Sequence, residues 1–301
     1  MPGKKILVSG ASGFVGESLV RQLESQGHVV MRMVRRTKEL KENELAWLPK
    51  QGLLKLDGLE NVDVVFHLAG RSIASGRWSD AEKRRIRDSR VEATERLVAQ
   101  FLSSNQPPPV FIAASAVGLY GDCGDARVDE THPVGSGFLA EVARDWELVA
   151  EPLSEAGTRV VHARLGIVLD RQGGALAKML PLFRWGVAGP LGSGQQYWSW
   201  MALSDVVNGL CWAMDNATVC GAYNFVAEPV TNSEFTSQLA AALGRPAWLP
   251  APSFALRLAL GEMADALLLA SCRAIPTRLD AEHFDIRYRQ LTELFEQQFS
   301  K

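Results

Sequence analysis

The chain has 301 residues, of which 47% are hydrophobic and 22% are charged, and its formal net charge is −2 at pH 7. This composition is typical of a globular protein with room for one large domain and a smaller partner domain. A net charge near zero argues against a strongly basic surface, so we expect neither nucleic acid nor a membrane as a partner. The first apolar run, residues 6–8, is too short for an export segment, and the four cysteines form no CxxC pair. We therefore expect a cytoplasmic protein with free thiols.

Strands and helices alternate along the first half of the chain. Unbroken apolar runs predict buried strands from Lys5 to Ser9, Val29 to Val34, Val62 to Leu68, Val110 to Ser115 and Thr158 to Arg164. Helical periodicity predicts helices from Phe14 to Ser25, Ser79 to Phe101 and Phe138 to Ala156. Residues 36–61 are predicted to be irregular, apart from a short strand near Leu45-Trp47. Such alternation predicts an α/β fold with a doubly wound parallel sheet, covered by helices on both faces.

Two capping boxes mark predicted helix starts. Ser79 with Glu82 opens the second long helix, and Thr231 with Glu234 opens a later one that stops at Gly244. Prolines then precede an apolar helix predicted from Phe254 to Ala270.

A glycine-rich loop, Gly10-Ala11-Ser12-Gly13-Phe14-Val15-Gly16, joins the first strand to the first helix. Glycine in such a loop permits a tight turn, close approach of a pyrophosphate and close helix–strand packing. With a strand before it and a helix after it, the loop predicts a dinucleotide-binding Rossmann fold. The alternative is a turn that is merely rich in glycine. The candidate cofactor-binding residues here are Gly10, Ser12, Gly13, Phe14, Val15 and Gly16.

The end of the second strand indicates which nicotinamide nucleotide is bound. Enzymes that use NAD usually carry Asp or Glu there, to accept from the ribose 2′-hydroxyl. This chain has Arg35 and Arg36, with Lys38 nearby. A guanidinium can bind a 2′-phosphate through two hydrogen bonds, whereas a carboxylate would repel it. We therefore predict NADP as the cofactor; the alternative is that both arginines are solvated surface residues.

The third long strand ends in His67-Leu68-Ala69-Gly70. Small residues there allow a cofactor to lie against the sheet edge, so Leu68, Ala69 and Gly70 are further candidate cofactor-binding residues. His67 by itself is expected to be structural rather than catalytic.

The pattern changes after Leu169, where glycine and tryptophan become frequent. We expect residues 1–168 plus about 204–226 to form the NADP-binding Rossmann domain. Residues of about 169–203 and 227–301 are expected to form a smaller C-terminal substrate or lid domain.

Several strings, taken in order, resemble the extended short-chain dehydrogenase/reductase superfamily. They are the glycine loop, Leu68-Ala69-Gly70, Ala114-Ser115-Ala116 with Tyr120-Gly121, and residues 200–205. More narrowly, the chain resembles the nucleoside-diphosphate-sugar epimerase-like family, also labelled cell-division-inhibitor-related. The strings that carry this second resemblance are residues 76–78, 89–91, 189–194 and 261–265. The resemblance spans essentially the whole chain and implies a family-specific C-terminal region of unknown role from about residue 250.

The superfamily implies a serine and a Tyr-x-x-x-Lys pair, in which the tyrosine moves a proton and the lysine lowers its pKa. Ser115 matches the serine, and Ala114, Leu165 and Gly166 match positions beside the nicotinamide. The pair itself is missing, because no lysine lies between Lys83 and Lys178 and Tyr120 is the only tyrosine in that interval.

Substitute acids and bases remain open. Ser115 and Tyr120 are the candidate catalytic residues, and the alternatives are a serine that ends a strand and a tyrosine that packs its loop. Glu141 and Asp145 lie on the helix that normally carries the pair, where solvated helix residues are the alternative. The aromatic segment that starts at Gly189 is either a lid over the pocket or packing between domains.

Two functions follow from this pattern. The first is an NADP-dependent oxidoreductase or epimerase that acts on an unidentified polar or nucleotide-linked substrate. The second is a non-catalytic NADP(H)-binding sensor or scaffold, linked to cell division as the family label suggests. In either case the protein can form an oligomer.

Overall fold

The computed structural model describes residues 3–48, 52–53, 61–104 and 107–300. Within these residues the strands are β1 (Lys5–Ser9), β2 (Val29–Val34), β3 (Glu44–Leu48), β4 (Gly52–Leu53), β5 (Val64–His67), β6 (Val110–Ala116), β7 (Arg127–Val128), β8 (Arg159–Leu165), β9 (Ile167–Asp170), β10 (Tyr197–Trp198), β11 (Trp200–Ala202), β12 (Gly221–Phe225), β13 (Val230–Thr231) and β14 (Arg273–Ala274). The helices are α1 (Phe14–Ser25), α2 (Asp80–Asp88), α3 (Val91–Ser103), α4 (Phe138–Leu148), α5 (Glu151–Glu155), α6 (Gly174–Arg184), α7 (Leu203–Asp215), α8 (Asn232–Leu243), α9 (Ser253–Leu260), α10 (Glu262–Ala264), α11 (Thr277–Ala281) and α12 (Leu291–Phe299).

The central sheet confirms the predicted doubly wound α/β fold. Its described strands lie in the order β12-β8-β6-β5-β1-β2-β3, all parallel, and β4 adds to β3 in the antiparallel sense. The chain runs outward from β1 to β2 and β3, then returns to β5 on the other side of β1. This reversal opens a crevice at the carboxyl ends of β1 and β5, where open α/β sheets bind ligands.

Each strand contributes side chains to two hydrophobic layers because successive residues point to opposite faces. On one face Ile6 and Val8 pack in a cluster with Leu19 of α1. On the other face Leu7 packs in a second cluster with Phe101 of α3. The strands are therefore covered on both sides, which explains why they read as unbroken apolar runs.

The C-terminal helices share a hydrophobic cluster with the sheet. Phe235 of α8 and Phe295 of α12 meet with ring centroids 5.7 Å apart, and both belong to the cluster that contains Ile6 and Leu19. The predicted division into two domains stays a prediction, but the core that the two parts would share is continuous.

Two predicted helices are interrupted in the first half of the fold. The helix predicted from Ser79 to Phe101 breaks at Ser89 and Arg90, where the Ser89 hydroxyl donates to the Ile86 carbonyl at 2.8 Å and accepts from the backbone N–H of Arg71 at 3.0 Å. The helix predicted from Phe138 to Ala156 breaks before α5, because Pro152 has no N–H to donate to the preceding turn.

The predicted capping boxes have different outcomes. The Thr231–Glu234 box is complete, and its helix ends at Gly244, whose φ is +61°. At Ser79 only half of the box forms, because the Glu82 carboxylate instead accepts from Arg71 at 2.5 and 3.0 Å.

Other predicted bounds also change. The helix predicted from Phe254 to Ala270 is interrupted at Gly261, where φ is +63°. The predicted strand near Leu45-Trp47 is confirmed as β3, and the predicted strand Val62 to Leu68 is shorter, as β5. Within the segment predicted to be irregular, residues 49–51 and 54–60 lie outside the described residues.

We predict that Phe295→Ala lowers the free energy of unfolding by about 3–5 kcal/mol, because it empties a site in the shared core. Urea unfolding followed by both circular dichroism and tryptophan fluorescence should show one transition that shifts as a whole. Leu258→Ala is the matched control, since 77% of Leu258 is exposed. Two separate transitions, of which Phe295→Ala moves one, would show instead that the C-terminal part folds independently.

Candidate functional site

The glycine loop is packed too tightly for side chains at two of its positions. Gly10 has φ +69°, and a Cβ there would lie 2.8 Å from the Leu68 carbonyl. A Cβ on Gly16 would lie 2.1 Å from the Gly10 carbonyl oxygen. These contacts press the start of α1 against the ends of β1 and β5. Ser12 and Gly13 are exposed, so the backbone N–H groups of the first turn of α1 open toward the crevice.

The end of β5 is held by a buried chain of hydrogen bonds. The Ser9 hydroxyl lies 2.8 Å from Nδ1 of His67, and Nε2 of His67 lies 2.9 Å from the Thr94 hydroxyl. Thr94 Oγ1 also accepts from Nε1 of Trp146 at 2.9 Å. The Ser9 oxygen accepts from the backbone N–H of Ala69 at 3.2 Å. Burial lowers the pKa of His67 to about 4, so the ring is neutral and acts as a structural bridge.

The two arginines after β2 have different surroundings. Arg36 forms an ion pair with Glu44 of β3. A hydrogen bond from the backbone N–H of Lys41, together with this ion pair, lowers the pKa of Glu44. Arg35 is exposed and has no ion-pair partner in the part of the chain that the structure describes. Arg35 therefore has its guanidinium available for a ligand, whereas Arg36 is already engaged.

Half-buried apolar side chains line the carboxyl edge of the sheet on the other side of β1. Phe14, Val15, Leu68 and Leu165 are each partly exposed where they pack against the core. At Gly166 a Cβ would lie 2.7 Å from the Ser199 carbonyl oxygen, so this residue must be glycine for the chain to turn there. The ring of Phe14 packs on Gly173 and Gly174, whereas Leu68 follows β5 and Leu165 ends β8.

Ala69, Gly70 and Ala114 complete the predicted edge. Ala69 is partly buried and Gly70 is exposed, directly after the end of β5. Ala114 is buried and packs with Val91 and Trp146. Ala114 therefore contributes to the packing beneath this edge of the sheet and is not part of its exposed surface.

Ser115 lies in a buried ionic cluster rather than at an open surface. Only 3% of Ser115 is exposed, and its hydroxyl donates to Oε1 of Glu147 at 2.5 Å. Arg164 donates to the same carboxylate from Nε at 2.9 Å and from Nη2 at 2.8 Å. Although burial alone would lower the pKa of Arg164, the hydrogen bonds to Glu147 raise it above its ordinary value. The cluster thus fastens α4 to β6 and β8.

Tyr120 belongs to the same cluster. Its hydroxyl donates to Oδ1 of Asn224 at 2.7 Å and accepts from Nη1 of Arg164 at 2.9 Å. Only 2% of the residue is exposed, and burial raises the pKa of Tyr120 to about 12. The structure therefore brings Ser115 and Tyr120 together through Arg164, inside the protein.

The sequence analysis did not identify Glu147. Ala140, Ala143 and Glu147 share one face of α4, and the two alanines are buried. A carboxylate in line with two buried alanines is the signal that would have indicated a buried charge and a cationic partner.

The other predicted substitutes lie at the surface. Glu141 is exposed, and Asp145 forms ion pairs with Arg87 at 2.5 Å and with Arg144 at 2.7 Å. Burial opposes the effect, but hydrogen bonds from these two arginines lower the pKa of Asp145. These contacts favour the alternative of surface residues on α4.

The aromatic segment after Gly189 is packed into the C-terminal part of the fold. Trp198 and Trp200 are buried, and Nε1 of Trp200 donates to the Glu228 carbonyl at 2.8 Å. The backbone N–H of Leu191 donates to the side chain of Asn232 at 2.7 Å. These contacts favour packing over a mobile lid.

Neither a metal site nor a membrane helix is evident in the described ranges. No group of three or more His, Cys, Asp or Glu residues there could hold a metal ion. None of the helices in those ranges is both long enough and apolar enough to cross a membrane.

We predict that His67 makes folding dependent on pH. The native ring takes up a proton only below about pH 4, whereas an unfolded histidine does so near pH 6.5. The contribution of neutral His67 is therefore complete above pH 6.5 and is lost as the pH falls toward 4, at a cost of about 3 kcal/mol. His67→Asn should remove this slope from the free energy of unfolding measured in urea. His283→Asn, at an exposed histidine, is the control. An unchanged slope in His67→Asn would contradict the assignment.

Comparison with known proteins agrees with this geometry. Residues 6–225 match the family model described as NAD dependent epimerase/dehydratase, and residues 251–298 match a domain of unknown function, DUF1731. The chain is 41% identical to an epimerase family protein of Mycobacterium leprae, over 96% of this chain and 93% of that protein. It is 33% identical to epimerase family protein SDR39U1 of Bos taurus, over 95% and 97% of the two chains.

Solved structures give the same result. Human epimerase family protein SDR39U1 with NADPH superposes with a TM-score of 0.90 at 32% identity, over 99% of both chains. The nucleoside-diphosphate sugar epimerase from Corynebacterium glutamicum superposes with a TM-score of 0.81 at 33% identity, over 99% of this chain and 58% of that one. The chain therefore belongs to the NAD dependent epimerase/dehydratase family, within the nucleoside-diphosphate-sugar epimerase-like branch of the extended short-chain dehydrogenase/reductases.

Proposed function

We propose that this protein binds NADP(H) in preference to NAD(H) and uses it to exchange hydride with a polar or nucleotide-linked substrate. The observation that carries the proposal is the exposed guanidinium of Arg35 at the end of β2, which has no ion-pair partner among the described residues and lies beside a glycine loop that is open at Gly13. The relative SDR39U1 has been solved with NADPH, although a more distant neighbour at 22% identity was solved with NAD.

The residues present fit a nicotinamide dinucleotide. Gly13 is exposed and has no side chain, so this bend has no bulk that would keep a diphosphate from the N-terminus of α1. Ser12 and the backbone N–H groups of Phe14 and Val15, in the first turn of α1, would hold the diphosphate beside Gly13, and Arg35 would hold the 2′-phosphate. When bound, the nicotinamide would supply hydride chemistry at the edge formed by Leu68, Ala69, Gly70, Ala114, Leu165 and Gly166.

Ser115 and Tyr120 have a positioning role in this proposal. Both hydroxyls are buried and already hydrogen-bonded, and both are linked to Arg164 through the cluster with Glu147. The cluster keeps α4, β6 and β8 in register below the crevice. The proton that accompanies hydride would then be exchanged with a group of the substrate or with water.

A second candidate is a sensor or scaffold that holds NADP(H) without turnover. The engagement of Ser115 and Tyr120 in a buried cluster favours it, because neither hydroxyl is free to act as an acid or base. A link to cell division would belong to this second function.

We predict that Arg35→Asp weakens NADPH binding about 10- to 100-fold, because a charge-assisted contact to the 2′-phosphate becomes a repulsion. NADH binding should change little, since NADH has no 2′-phosphate. Both affinities can be measured by isothermal titration calorimetry. Arg36→Gln is the matched control, because Arg36 is engaged with Glu44. An equal loss of NADPH and NADH affinity in Arg35→Asp would refute the 2′-phosphate assignment.

Turnover distinguishes the two candidate functions. For an oxidoreductase we predict that protein-bound NADPH loses its absorbance at the reduced-nicotinamide band when a broad panel of carbonyl compounds, including nucleotide-linked sugars, is added. Bound NADPH that stays reduced across the whole panel would favour the sensor. Protein preheated beyond its unfolding transition is the control for oxidation in solution.

A further inference from the structure

Arg90 is a half-buried cation that has no counterion among the described residues. Burial lowers the pKa of Arg90 to about 10, which leaves it positively charged at neutral pH. Throughout the described ranges no carboxylate lies within ion-pair distance of Arg90, whereas the buried Arg164 is paired with Glu147. Partial burial removes some of the water around this charge and no described carboxylate replaces it, so a ligand with oxygen acceptors would stabilise it.

The guanidinium of Arg90 is fixed but mostly unsatisfied. Its Cζ lies 5.2 Å from the centre of the Trp146 ring, which supports the planar group from one side. Nη1 makes two long hydrogen bonds, to the Ile86 carbonyl at 3.3 Å and to the Ser89 hydroxyl at 3.4 Å. Nε and Nη2 have no acceptor among the residues that the structure describes. The N–H groups on Nε and Nη2 are therefore held in place and remain available to donate to a ligand.

The Nη2 donors of Arg90 lie next to Gly70, at the carboxyl edge of the sheet where we expect the ligand. A Cβ built on Gly70 would lie 3.2 Å from both Cζ and Nη2 of Arg90, so the absence of a side chain at Gly70 gives the guanidinium its space. Gly70 follows the end of β5, and β2, β1 and β5 are consecutive in the sheet. A dinucleotide with its 2′-phosphate at Arg35 and its diphosphate at Gly13 extends toward β5. Arg90 thus lies on the nicotinamide side of the crevice.

We propose that Arg90 is a ligand-binding residue that donates to an oxygen-rich group at this end of the crevice. The group is either the ribose diol next to the nicotinamide or a carboxylate or oxyanion of the substrate. In both cases oxygen atoms of the ligand accept hydrogen bonds from Nε and Nη2, and an anionic group of the substrate would in addition compensate the positive charge. This inference rests on the proposed NADP(H)-binding function and assigns the nicotinamide side of the same site.

The first test compares two nucleotides that share the adenosine 2′-phosphate part but differ at the nicotinamide end. NADPH has the nicotinamide ribose, and adenosine 2′,5′-bisphosphate lacks it. If the ribose diol is the ligand, Arg90→Met weakens NADPH binding about tenfold or more, as measured by calorimetry. The affinity for the bisphosphate should stay unchanged. Arg84→Met, at an exposed arginine of α2, is the matched control and should change neither affinity.

The second test asks whether Arg90 binds a carboxylate or oxyanion of the substrate. Malonate serves as the probe and is titrated into protein saturated with NADP⁺. If Arg90 binds a substrate anion, Arg90→Met keeps the NADPH affinity of the unaltered chain but loses malonate binding. Should Arg90→Met fail to fold, Arg90→Lys replaces it, because lysine keeps the charge and the stem but not the planar fork.

The inference is overturned if removal of the guanidinium changes neither the NADPH affinity nor the response to malonate. In that case Arg35→Asp would still weaken NADPH binding, so the proposed function would stand. If the unaltered chain binds no NADPH, the proposed function fails and Arg90 loses its assigned ligand with it. The two failures are therefore distinguishable.

Discussion

The site depends on one close backbone contact, between the Cα of Gly16 in α1 and the carbonyl of Gly10 at the end of β1. With a Cβ at Gly16 only 2.1 Å from that oxygen, any larger residue would push α1 away from the sheet. The same loop touches β5, because Gly10 is packed against the Leu68 carbonyl. The N-terminus of α1 is thereby held at the point where the strand order reverses. Its positive end points at the crevice and favours an anionic group there, which supports the proposed diphosphate site.

A second constraint lies below the crevice, in the cluster of Ser115, Glu147, Arg164 and Tyr120. Breaking such a pair would leave an uncompensated buried charge, which costs about 3–5 kcal/mol. The cluster also removes two hydroxyls from any role that needs solvent or substrate access. In the proposed function, Ser115 and Tyr120, which the sequence suggested for catalysis, have a positioning role instead. Arg90, beside Trp146 on the neighbouring side of the crevice, has by contrast no carboxylate partner among the residues that the structure describes.

The sequence predicted local elements well where one pattern decided the structure. The segments Lys5–Ser9, Phe14–Ser25 and Val29–Val34 have the predicted bounds, since apolar runs, helical periodicity and glycine all agree there. The place of the glycine loop between β1 and α1 follows from the same local signals. Prediction failed where a distant residue decided the structure. The break at Ser89 depends on a contact from Arg71, a residue outside the helix, and helical periodicity does not register such a contact.

The candidate catalytic residues show the same limit. A serine at the end of a strand and a tyrosine in the next loop look alike in sequence whether they face solvent or the interior. Their environment is set by Glu147 and Arg164, which come from other elements. For the same reason the sequence presents Arg90 as one of several charges on a solvated helix, and only the fold shows that it is half-buried against Trp146 and Gly70.

The most direct test of the nucleotide site is a crystal structure of this protein grown with NADPH. We expect density for the diphosphate at Ser12 and Gly13, for the 2′-phosphate at Arg35, and for the nicotinamide ribose near Gly70. Full occupancy by NADPH at any other surface, with the N-terminus of α1 free of phosphate, would contradict the assignment of the crevice.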